Sequence, residues 1–424
     1  MSRPVRVAIL VAALALAGGP AVVRAGAASP ARFVVTSTAD APDANVGDGT
    51  CASAAKGCTL RAAVQEADKA SGSTVVVPAG RYRLTIAPNK SDEVPGSAEA
   101  VDGATGDLII TSDMTVSGAG ADRTVIDGGG LDRVFAVGNL GNAHLTDMTI
   151  TGGDPSHGGT SQGIALGGAI LNNGALTLDR MALVRNRADG GGGLFSVPGT
   201  DPIIRDSLIA NNRAYSGGGL RLDSGARITN STITGNRLYD LPPASQALVA
   251  RPFPTAFSVL VSEGSGWGGG IDHRGGSNVV ILNSTITNNQ AIRGGGGLAS
   301  GQGYAPVSDK AALGNMTLQN TIVAGNTSSA GELGCHVKDQ IIVSLGHNLS
   351  SDGTCFLTAA GDRPNTNPRL GTLADNGGPT DTQALLRGSP AIDAAVGCPR
   401  HDQRGASRPA GARCDIGAYE HSSR

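Results

Sequence analysis

Short apolar runs recur along residues 143–326, and their side chains fall into columns when the runs are stacked. Six runs align without gaps: AHLTDMTITGG (143–153), ALTLDRMALVRN (175–186), PIIRDSLIANN (202–212), ARITNSTITGN (226–236), VVILNSTITNN (279–289) and MTLQNTIVAGN (316–326). Two columns are aliphatic: Leu145, Leu178, Ile204, Ile228, Ile281 and Leu318, and Ile150, Leu183, Ile209, Ile233, Ile286 and Val323. Each run therefore predicts one supersecondary unit that buries its apolar face against its neighbours.

A glycine run closed by an aliphatic residue separates most of these segments. It ends at Ile170, Leu194, Leu220, Ile271 and Leu298, at intervals of 24, 26, 51 and 27 residues. The interval of 51 is one period plus an insertion. Short Val, Ile, Leu and Thr runs broken by Gly and Asn, without helical spacing, predict strands and corners. The sequence thus predicts an all-β, single-stranded parallel β-helix over residues 107–345, and parallel crossovers favour a right-handed coil.

A further column, three residues after the second apolar one, is almost entirely asparagine. It contains Gly153, Asn186, Asn212, Asn236, Asn289 and Asn326. Asn and Gly accept a left-handed backbone, so this column predicts a corner repeated in every coil. Stacked amide side chains can also hydrogen-bond from one coil to the next.

The alternation of a GGA-aliphatic phrase, as in GGAI, with a phrase that ends in Asn, as in ITNN, resembles two groups of proteins. These are the chlamydial polymorphic outer-membrane proteins and the pectate-lyase-like superfamily. The resemblance implies a right-handed parallel β-helix.

Residues 28–106 predict a cap over the first coil. Leu60, Ala63, Val64 and Ala67 lie at helical spacing, which predicts an amphipathic helix over residues 59–70 with Thr59 as its N-cap. The phrase Cys-Thr-Leu-Arg-Ala-Ala at 58–63 resembles the N-terminal motif of a bacterial secreted family named for Cys-Ser-Leu-Arg-Glu-Ala, with Thr and Ala as departures.

Three acids precede this helix, Asp40, Asp43 and Asp48. Carboxylates on a flexible loop can hold Ca²⁺, so these residues are candidate calcium ligands. Their spacing matches no defined calcium loop, and a solvated acidic turn is the favoured alternative. No other cofactor is expected.

The insertion at residues 237–267 carries four aromatic residues, Tyr239, Phe253, Phe257 and Trp267. Insertions in solenoids often lie on the binding face, so these residues are candidate ligand-binding groups.

Charged residues follow the glycine runs on either side of the insertion. Asp272, His273 and Arg274 follow one run, and Arg221 and Asp223 occupy equivalent positions one coil earlier. The repeat predicts that Asp272 stacks on Arg221 and Arg274 on Asp223, all pointing outward. These five residues are the catalytic candidates. They predict either a groove for a sugar or polyanion, or, as the favoured alternative, two cross-coil ion pairs beneath a loop.

Residues 346–424 predict a C-terminal cap without periodicity. The phrases NGGPT, GSPAID, DQRG-x-x-RP and CDIGA-x-E resemble the choice-of-anchor Q domain of bacterial surface β-helix proteins. A loop closed by a disulfide and held by buried ion pairs is favoured over a catalytic role for its Asp and Arg residues.

The chain has a net charge of −2 and no basic cluster, which argues against a nucleic-acid partner. Residues 1–27 have the pattern of a signal peptide, and no later segment is apolar enough to span a membrane. The cysteines form three local couples, Cys51 with Cys58, Cys335 with Cys355 and Cys398 with Cys414. Disulfides between them are favoured over metal binding, although fifteen pairings are open. A monomeric bacterial protein, secreted or on the cell surface, is expected.

Two functions fit these observations. The first is a non-enzymatic adhesin or envelope component whose loops bind carbohydrate or a surface protein of a host or neighbouring cell. The alternative is a polysaccharide lyase or glycoside hydrolase that acts on acidic polysaccharide. The first is favoured because Asp223 and Asp272 each face an arginine, which makes a poor general acid. The fold alone does not decide between them.

Overall fold

The computed structural model describes residues 30–54, 57–89, 103–157, 165–239, 266–300, 314–329, 331, 333–337 and 342–422. The predicted signal peptide and residues 240–265 of the insertion, with Phe253 and Phe257, lie outside the described residues. The described part forms a right-handed parallel β-helix, which confirms the predicted fold class. Among the described residues, no helix is long and apolar enough to cross a membrane.

Each full coil visits three sheets, here called A, B and D, and several coils add a narrow sheet C between B and D. Sheet A contains Arg32–Val34, Ser73–Val76, Asp113–Ser117, Asn142–Thr146, Ala175–Asp179, Ile203–Arg205, Ala226–Thr229, Val279–Leu282, Met316–Gln319 and Ile342–Ser344. Sheet B contains Gly80–Arg83, Thr124–Asp127, Thr149–Thr151, Ala182–Val184, Leu208–Ala210, Thr232–Thr234, Thr285–Thr287, Ile322–Ala324 and Leu349–Ser350.

Sheet C contains Arg213–Ala214, Arg237–Leu238, Gln290–Ala291 and Thr327–Ser328. Sheet D contains Leu108–Ile110, Phe135–Val137, Ile170–Asn172, Leu194–Ser196, Leu220–Leu222, Ile271–His273, Leu298–Ser300 and Cys335–Val337. Outside the coil, Leu370–Ala374 and Thr382–Leu385 form an antiparallel pair. A single-turn 3₁₀ helix covers Pro155–His157.

The two aliphatic columns form the core, because they pair in register from coil to coil. Ile204 lies beside Leu178 and Ile228 in sheet A, and the second column pairs in the same way in sheet B. Every member of both columns is fully buried. Burial of a Leu or Ile side chain stabilises a protein by about 1.5–3 kcal/mol, so the repeated columns are the main source of stability.

The asparagine column forms a ladder inside the coil. Asn236 donates its amide hydrogens to Ile209 O and Asn289 Oδ1, both at 2.9 Å. Its Oδ1 accepts hydrogen bonds from the backbone nitrogen and the side-chain nitrogen of Asn212, both at 3.0 Å. Each amide therefore satisfies backbone groups of the preceding coil and donates to the amide of the next coil.

The predicted corner lies one residue away from this column. The left-handed backbone belongs to the preceding residue, for example Arg185 (φ 56°), Asn211 (φ 58°) and Asn288 (φ 54°). The asparagines themselves turn inward and are buried. The prediction of a left-handed backbone at the asparagines was therefore wrong by one position, because an inward amide stabilises the corner without adopting its strained backbone.

The helix Leu60–Lys69 covers the first coil, as predicted. The Thr59 hydroxyl accepts a hydrogen bond from Ala62 N at 3.1 Å and so caps the first turn. Buried Arg61 forms an ion pair with Asp40 at 2.7 Å and donates to Gly103 O, Gly106 O and Asp107 O. These contacts hold the helix against residues 103–107, which precede the first strand of sheet D.

The C-terminal unit lies along the outer face of sheet B. Gln383 accepts a hydrogen bond from Thr287, Gln403 accepts one from Thr232 at 2.6 Å, and Ala418 N donates to Thr285 Oγ1 at 3.0 Å. Its contacts thus run down the side of several coils. The three cysteine couples each form a disulfide, and free cysteines are absent from the described residues.

Replacement of Asn236 by alanine is expected to lower the free energy of unfolding by roughly 3 kcal/mol, because it leaves buried backbone groups at Ile209 and Asn212 without partners. Urea denaturation followed by circular dichroism measures the change. Gln290→Ala, at an exposed position beside Asn289, is the control and is expected to change stability by less than about 0.5 kcal/mol. Equal stability of the two variants would contradict the structural role of the ladder.

Asp206 makes the junction between the coil and the C-terminal unit sensitive to pH. Its carboxylate accepts a hydrogen bond from Asn230, whose amide also donates to His401 O in the C-terminal unit. Burial raises the pKa of Asp206 to about 6, whereas an aspartate in an unfolded chain titrates near pH 4. Between these values the folded protein binds more protons, so stability is expected to fall as pH rises from about 4 to 6. Asp206→Asn is expected to weaken this dependence of the unfolding free energy on pH, measured by urea denaturation at several pH values. An unchanged dependence would show that other groups cause it.

Candidate functional site

The predicted charged residues beside the insertion lie close together, but each ion pair joins two residues of the same coil. Arg221 and Asp272 are neighbours in adjacent strands of sheet D, as the repeat predicted. Arg221 Nε is 3.1 Å from Asp223 Oδ1, and Arg274 Nε is 2.9 Å from Asp272 Oδ2. The predicted cross-coil ion pairs were therefore wrong, because residues two apart on a strand lie on the same face and reach each other first.

Ser216 connects the two ion pairs. Its hydroxyl donates to Asp272 Oδ2 at 2.5 Å and accepts from Arg274 Nη2 at 2.9 Å and Arg221 Nη1 at 3.4 Å. Burial, followed by the charge of Arg221, lowers the pKa of Arg274. The cluster contains two cations and two anions joined by one hydroxyl group.

These side chains point away from the coil core, yet they are buried. Asp272 is 0% exposed and Arg221 is 2% exposed. Residues that directly precede the glycine runs cover this face. Gly190 lies against Phe195 and Arg221, and Ser216 contacts Asp272. The predicted exposure was wrong, because neighbouring coil residues such as Gly190 and Ser216 lie against these side chains. A buried, balanced ionic network can fix the pairing of strands, but it offers a polymer no access.

His273 lies apart from the charged cluster. Alternation along its strand turns its ring to the inner face, where it is fully buried and Nε2 is 3.0 Å from Ser277 O. The two described aromatic residues of the insertion do not contact each other but pack on different partners. Trp267 stacks on His336 with ring centroids 4.1 Å apart, whereas Tyr239 meets Tyr215 edge to face at 4.2 Å.

The acids considered for calcium have partners within the protein. Asp40 pairs with Arg61, Asp43 accepts hydrogen bonds from Asn45 N and Ala52 N, and Asp48 accepts one from Thr50 N. In the described part of the chain, His, Cys, Asp and Glu side chains do not converge in groups of three that could hold a metal ion. Calcium binding at these residues stays a prediction.

A second charged feature, which the sequence analysis missed, lies on the narrow sheet C. Arg187, Arg213 and Arg237 occupy the same position in three successive coils: a parallel bridge joins the first two, and strand pairing joins the second and third. All three are exposed. We call this set the arginine row. Its sequence signal is an arginine that directly follows the asparagine column in three repeats.

The arginines of the row differ in their partners. Arg187 lies 3.9 Å from Asp154 and donates from Nε to the Tyr239 hydroxyl at 3.2 Å. Arg213 and Arg237 form no ion pair with any other residue in the described ranges. Two of the three charges therefore have no acidic partner within the described part of the chain.

Two tyrosines flank the arginine row, each two residues after one of its arginines. Tyr239 lies beneath the guanidinium of Arg187, 4.9 Å from the ring centroid, and its hydroxyl donates to Ala188 O at 2.7 Å. Burial raises the pKa of Tyr239, so the phenol stays protonated at neutral pH. The hydrogen bond from Arg187 to Tyr239 raises the pKa of the arginine. The arrangement places cations in a line beside two tyrosines, of which Tyr239 is half-buried and Tyr215 is buried.

Comparison with known proteins gives two likenesses. No protein-family model matches the sequence. Over 135 residues the chain is 33% identical to alginate lyase 7 of Azotobacter vinelandii, an alignment that covers 29% of this chain and 14% of that protein. The chain thus spans a small fraction of that relative's length. The crystal structure of pectate lyase Pel9A superposes with a TM-score of 0.46 and 14% identity, covering 93% of this chain and 97% of that one.

Replacement of Asp272 by asparagine is expected to lower the free energy of unfolding by about 3 kcal/mol or more, because Arg274 would lose its ion pair and the buried cluster would carry one excess positive charge. Thermal and urea denaturation measure the loss. The matched control is Asp223→Asn, whose side chain is 14% exposed and whose loss is therefore expected to be smaller. An Asp272→Asn variant as stable as the parent protein would contradict a structural role for the network.

Proposed function

We propose that this protein is exported and binds an acidic polysaccharide along the arginine row. The observation that carries the proposal is the stack of three exposed guanidinium groups, of which Arg213 and Arg237 have no acidic partner in the described part of the chain. Guanidinium groups bind carboxylates through paired, charge-assisted hydrogen bonds.

The row differs from the other charged surfaces of the coil. Arg180, on the corner between sheets A and B, pairs with Asp147 at 2.6 Å, and Arg205 on sheet A lies 3.5 Å from Asp179. Like charges on adjacent strands repel one another, so the arginine row is electrostatically unfavourable until anions occupy it. A polyanion that displaces several bound counterions at once gains entropy from their release, as nucleic acids do with cationic proteins.

Tyr239 favours a sugar polymer over other anions. It lies half-buried beside the cations and packs edge to face on Tyr215, which is buried. Aromatic rings provide rigid apolar surface that can pack against the carbon-bound hydrogens of a sugar ring. A line of exposed cations beside one half-buried tyrosine suits an acidic polysaccharide.

Cleavage of the bound polymer is the second candidate function, and the partial likeness to an alginate lyase supports it. Lyase chemistry on a uronate needs a cation at the carboxylate, a base for the C5 proton and an acid for the leaving oxygen. Arg187 could neutralise the carboxylate, and protonated Tyr239 could supply the leaving oxygen with a proton. The raised pKa of Tyr239 disfavours its use as the base at neutral pH, and for this reason binding without cleavage is the main proposal.

Export is part of the proposal. The three disulfides are typical of proteins that fold in an oxidising compartment, and the apolar N-terminal segment has the pattern of a signal peptide. The ends of the chain resemble motifs of bacterial secreted and surface proteins, which supports secretion or display at the cell surface. The partner is then an extracellular carbohydrate, and the protein acts as a monomer.

The double variant Arg213→Gln/Arg237→Gln is expected to weaken binding to polyuronates such as alginate or polygalacturonate by roughly five- to thirtyfold, because it removes two unpaired cations. Isothermal titration calorimetry at two salt concentrations measures the affinity and its salt dependence, which is expected to be shallower in the variant. The matched control is Arg227→Gln, which removes an exposed arginine from the outer face of sheet A.

Two further results would decide the proposal. Equal affinity of the double variant and the parent protein would show that the arginine row is not the binding site. Release of unsaturated uronate ends, followed by their ultraviolet absorbance and abolished by Tyr239→Phe, would replace the binding proposal with the lyase.

A further inference from the structure

The disulfide between Cys398 and Cys414 lies where the C-terminal unit docks on the coil. Asn320, a buried residue of the coil, contacts both segments that the disulfide joins. Its side chain donates to Val396 O at 2.8 Å, and its backbone oxygen accepts a hydrogen bond from Gly417 N at 2.8 Å. The disulfide therefore cross-links two segments that are held by the same residue of the coil.

The disulfides differ in their access to solvent. Cys335 and Cys355 are 2% and 0% exposed, so a reductant does not reach them in the folded protein. Cys398 is half-buried, and with Cys414 it lines an open surface cleft of about 490 Å³. This cleft gives a small thiol, or a loop that carries one, a path to the sulfur atoms.

The atoms around the sulfurs distinguish this disulfide from the one near the N-terminus. Asn320 Nδ2, a hydrogen-bond donor, lies 3.8 Å from Cys398 Sγ. The sulfurs of Cys51 and Cys58 instead lie 3.9 and 4.0 Å from the carbonyl oxygen of Thr59. Disulfide exchange releases a thiolate, which a nearby N–H group stabilises and a carbonyl oxygen destabilises.

The cleft also has a cation at its surface. Arg413 lines the cleft, is exposed and has no acidic partner among the described residues. The other arginine of the lining, Arg408, is paired with Glu420, and none of the lining residues is acidic. The charge of Arg413 therefore favours the approach of a thiolate.

We infer that Cys398–Cys414 is a reactive disulfide that a dithiol reduces in the folded protein, and that its reduction loosens the C-terminal unit from the coil. This site is separate from the arginine row and does not rest on the proposed function.

The two sulfurs have different roles in the reaction. Cys414 packs in an apolar cluster with Ile322 and Ile416, where a thiolate would be poorly solvated, whereas Cys398 has the amide of Asn320 beside it. A thiolate of the reductant therefore attacks Cys414 Sγ, the disulfide bond breaks, and Cys398 leaves as a thiolate that takes a proton from water. The second thiol of the reductant, as a thiolate, attacks the reductant sulfur of the mixed disulfide and releases Cys414, which is also protonated. The cysteine pair gains two electrons and two protons, and the dithiol becomes a disulfide.

The consequence for docking follows from the loss of the cross-link. Ala395 N donates to Cys414 O at 2.9 Å, and Ile416 N donates to Ala391 O at 2.9 Å. These hydrogen bonds can form without the disulfide. However, the two cysteines are 16 residues apart, and the opened loop gains conformational entropy when its segments leave the coil. Reduction therefore favours the undocked state of these segments.

The first test treats the native full-length protein with dithiothreitol, alkylates samples with iodoacetamide and locates the labelled cysteines by peptide mass spectrometry. Cys398 and Cys414 are expected to be labelled at least about tenfold faster than the other four cysteines. Earlier labelling of Cys51 and Cys58, which lie beside a helix N-terminus, or simultaneous labelling of all six, would overturn the inference. Glutathione, a monothiol, is expected to be trapped on Cys414; its recovery on Cys398 would overturn the assignment of the leaving sulfur.

The second test removes the cation of the cleft. Arg413→Gln is expected to slow the reduction of Cys398–Cys414 by glutathione about two- to fivefold, the effect of one exposed charge interaction. Arg387→Gln removes an exposed arginine of the same unit that does not line the cleft, and it is expected to leave the rate unchanged. Equal rates for the two variants would contradict the role of Arg413.

The third test measures docking by hydrogen exchange and mass spectrometry. In Cys398→Ser/Cys414→Ser, the amides of residues 391–398 and 414–418 are expected to exchange about ten- to hundredfold faster than in the oxidised protein. Those of Leu194–Ser196, in sheet D, are expected to be unchanged. Unchanged exchange in the docked segments, or faster exchange throughout the coil, would overturn the loosening even if the disulfide proves reactive.

Discussion

Every feature of this molecule depends on the in-register stacking of one coil on the next. Because the strands pair in parallel with matched positions, a residue at one place in the repeat contacts its equivalents above and below. Aliphatic residues in such a position form a continuous core. Asparagine in such a position forms a ladder in which each amide satisfies buried backbone groups that water cannot reach. The same constraint places arginines in a line when the repeat contains arginine.

Two neighbouring arginines show how burial decides whether a charge is paired within the protein or available to a ligand. Arg213 and Arg221 belong to the same coil and both point away from the core. Arg221 contacts Asp223 and Ser216 and is excluded from solvent. Arg213 is exposed and has no acidic partner among the described residues. A buried charge requires local compensation, whereas an exposed one can remain available for a ligand.

The periodic parts of the structure could be predicted from sequence. The parts that depend on what packs against the outside of the coil could not. Spacing alone predicts the core columns and the helix capped by Thr59. It also predicts that Arg221 and Asp272 are neighbours in adjacent strands. The burial of Asp272 does not, because alternation along a strand gives the side of the sheet but not what covers that side. The position of the C-terminal unit was also beyond prediction, since its contacts with Thr232 and Thr285 have no periodic signal. The arginine row has a signal in the sequence, an Asn-Arg pair in three repeats, but this pattern does not tell whether the arginines have acidic partners.

The faces that remain uncovered limit where a ligand can bind. The C-terminal unit covers much of the outer face of sheet B, and its hydrogen bonds to threonine hydroxyls explain why small polar residues occupy that face. The outer face of sheet D is partly covered by the coil itself around Phe195, Arg221 and Asp272. Sheet A is exposed, but several of its charges are paired, as between Arg205 and Asp179. Within the described part of the coil, the narrow sheet therefore combines access with positive charge that has no acidic partner, and both properties suit the proposed recognition of an extended acidic polymer.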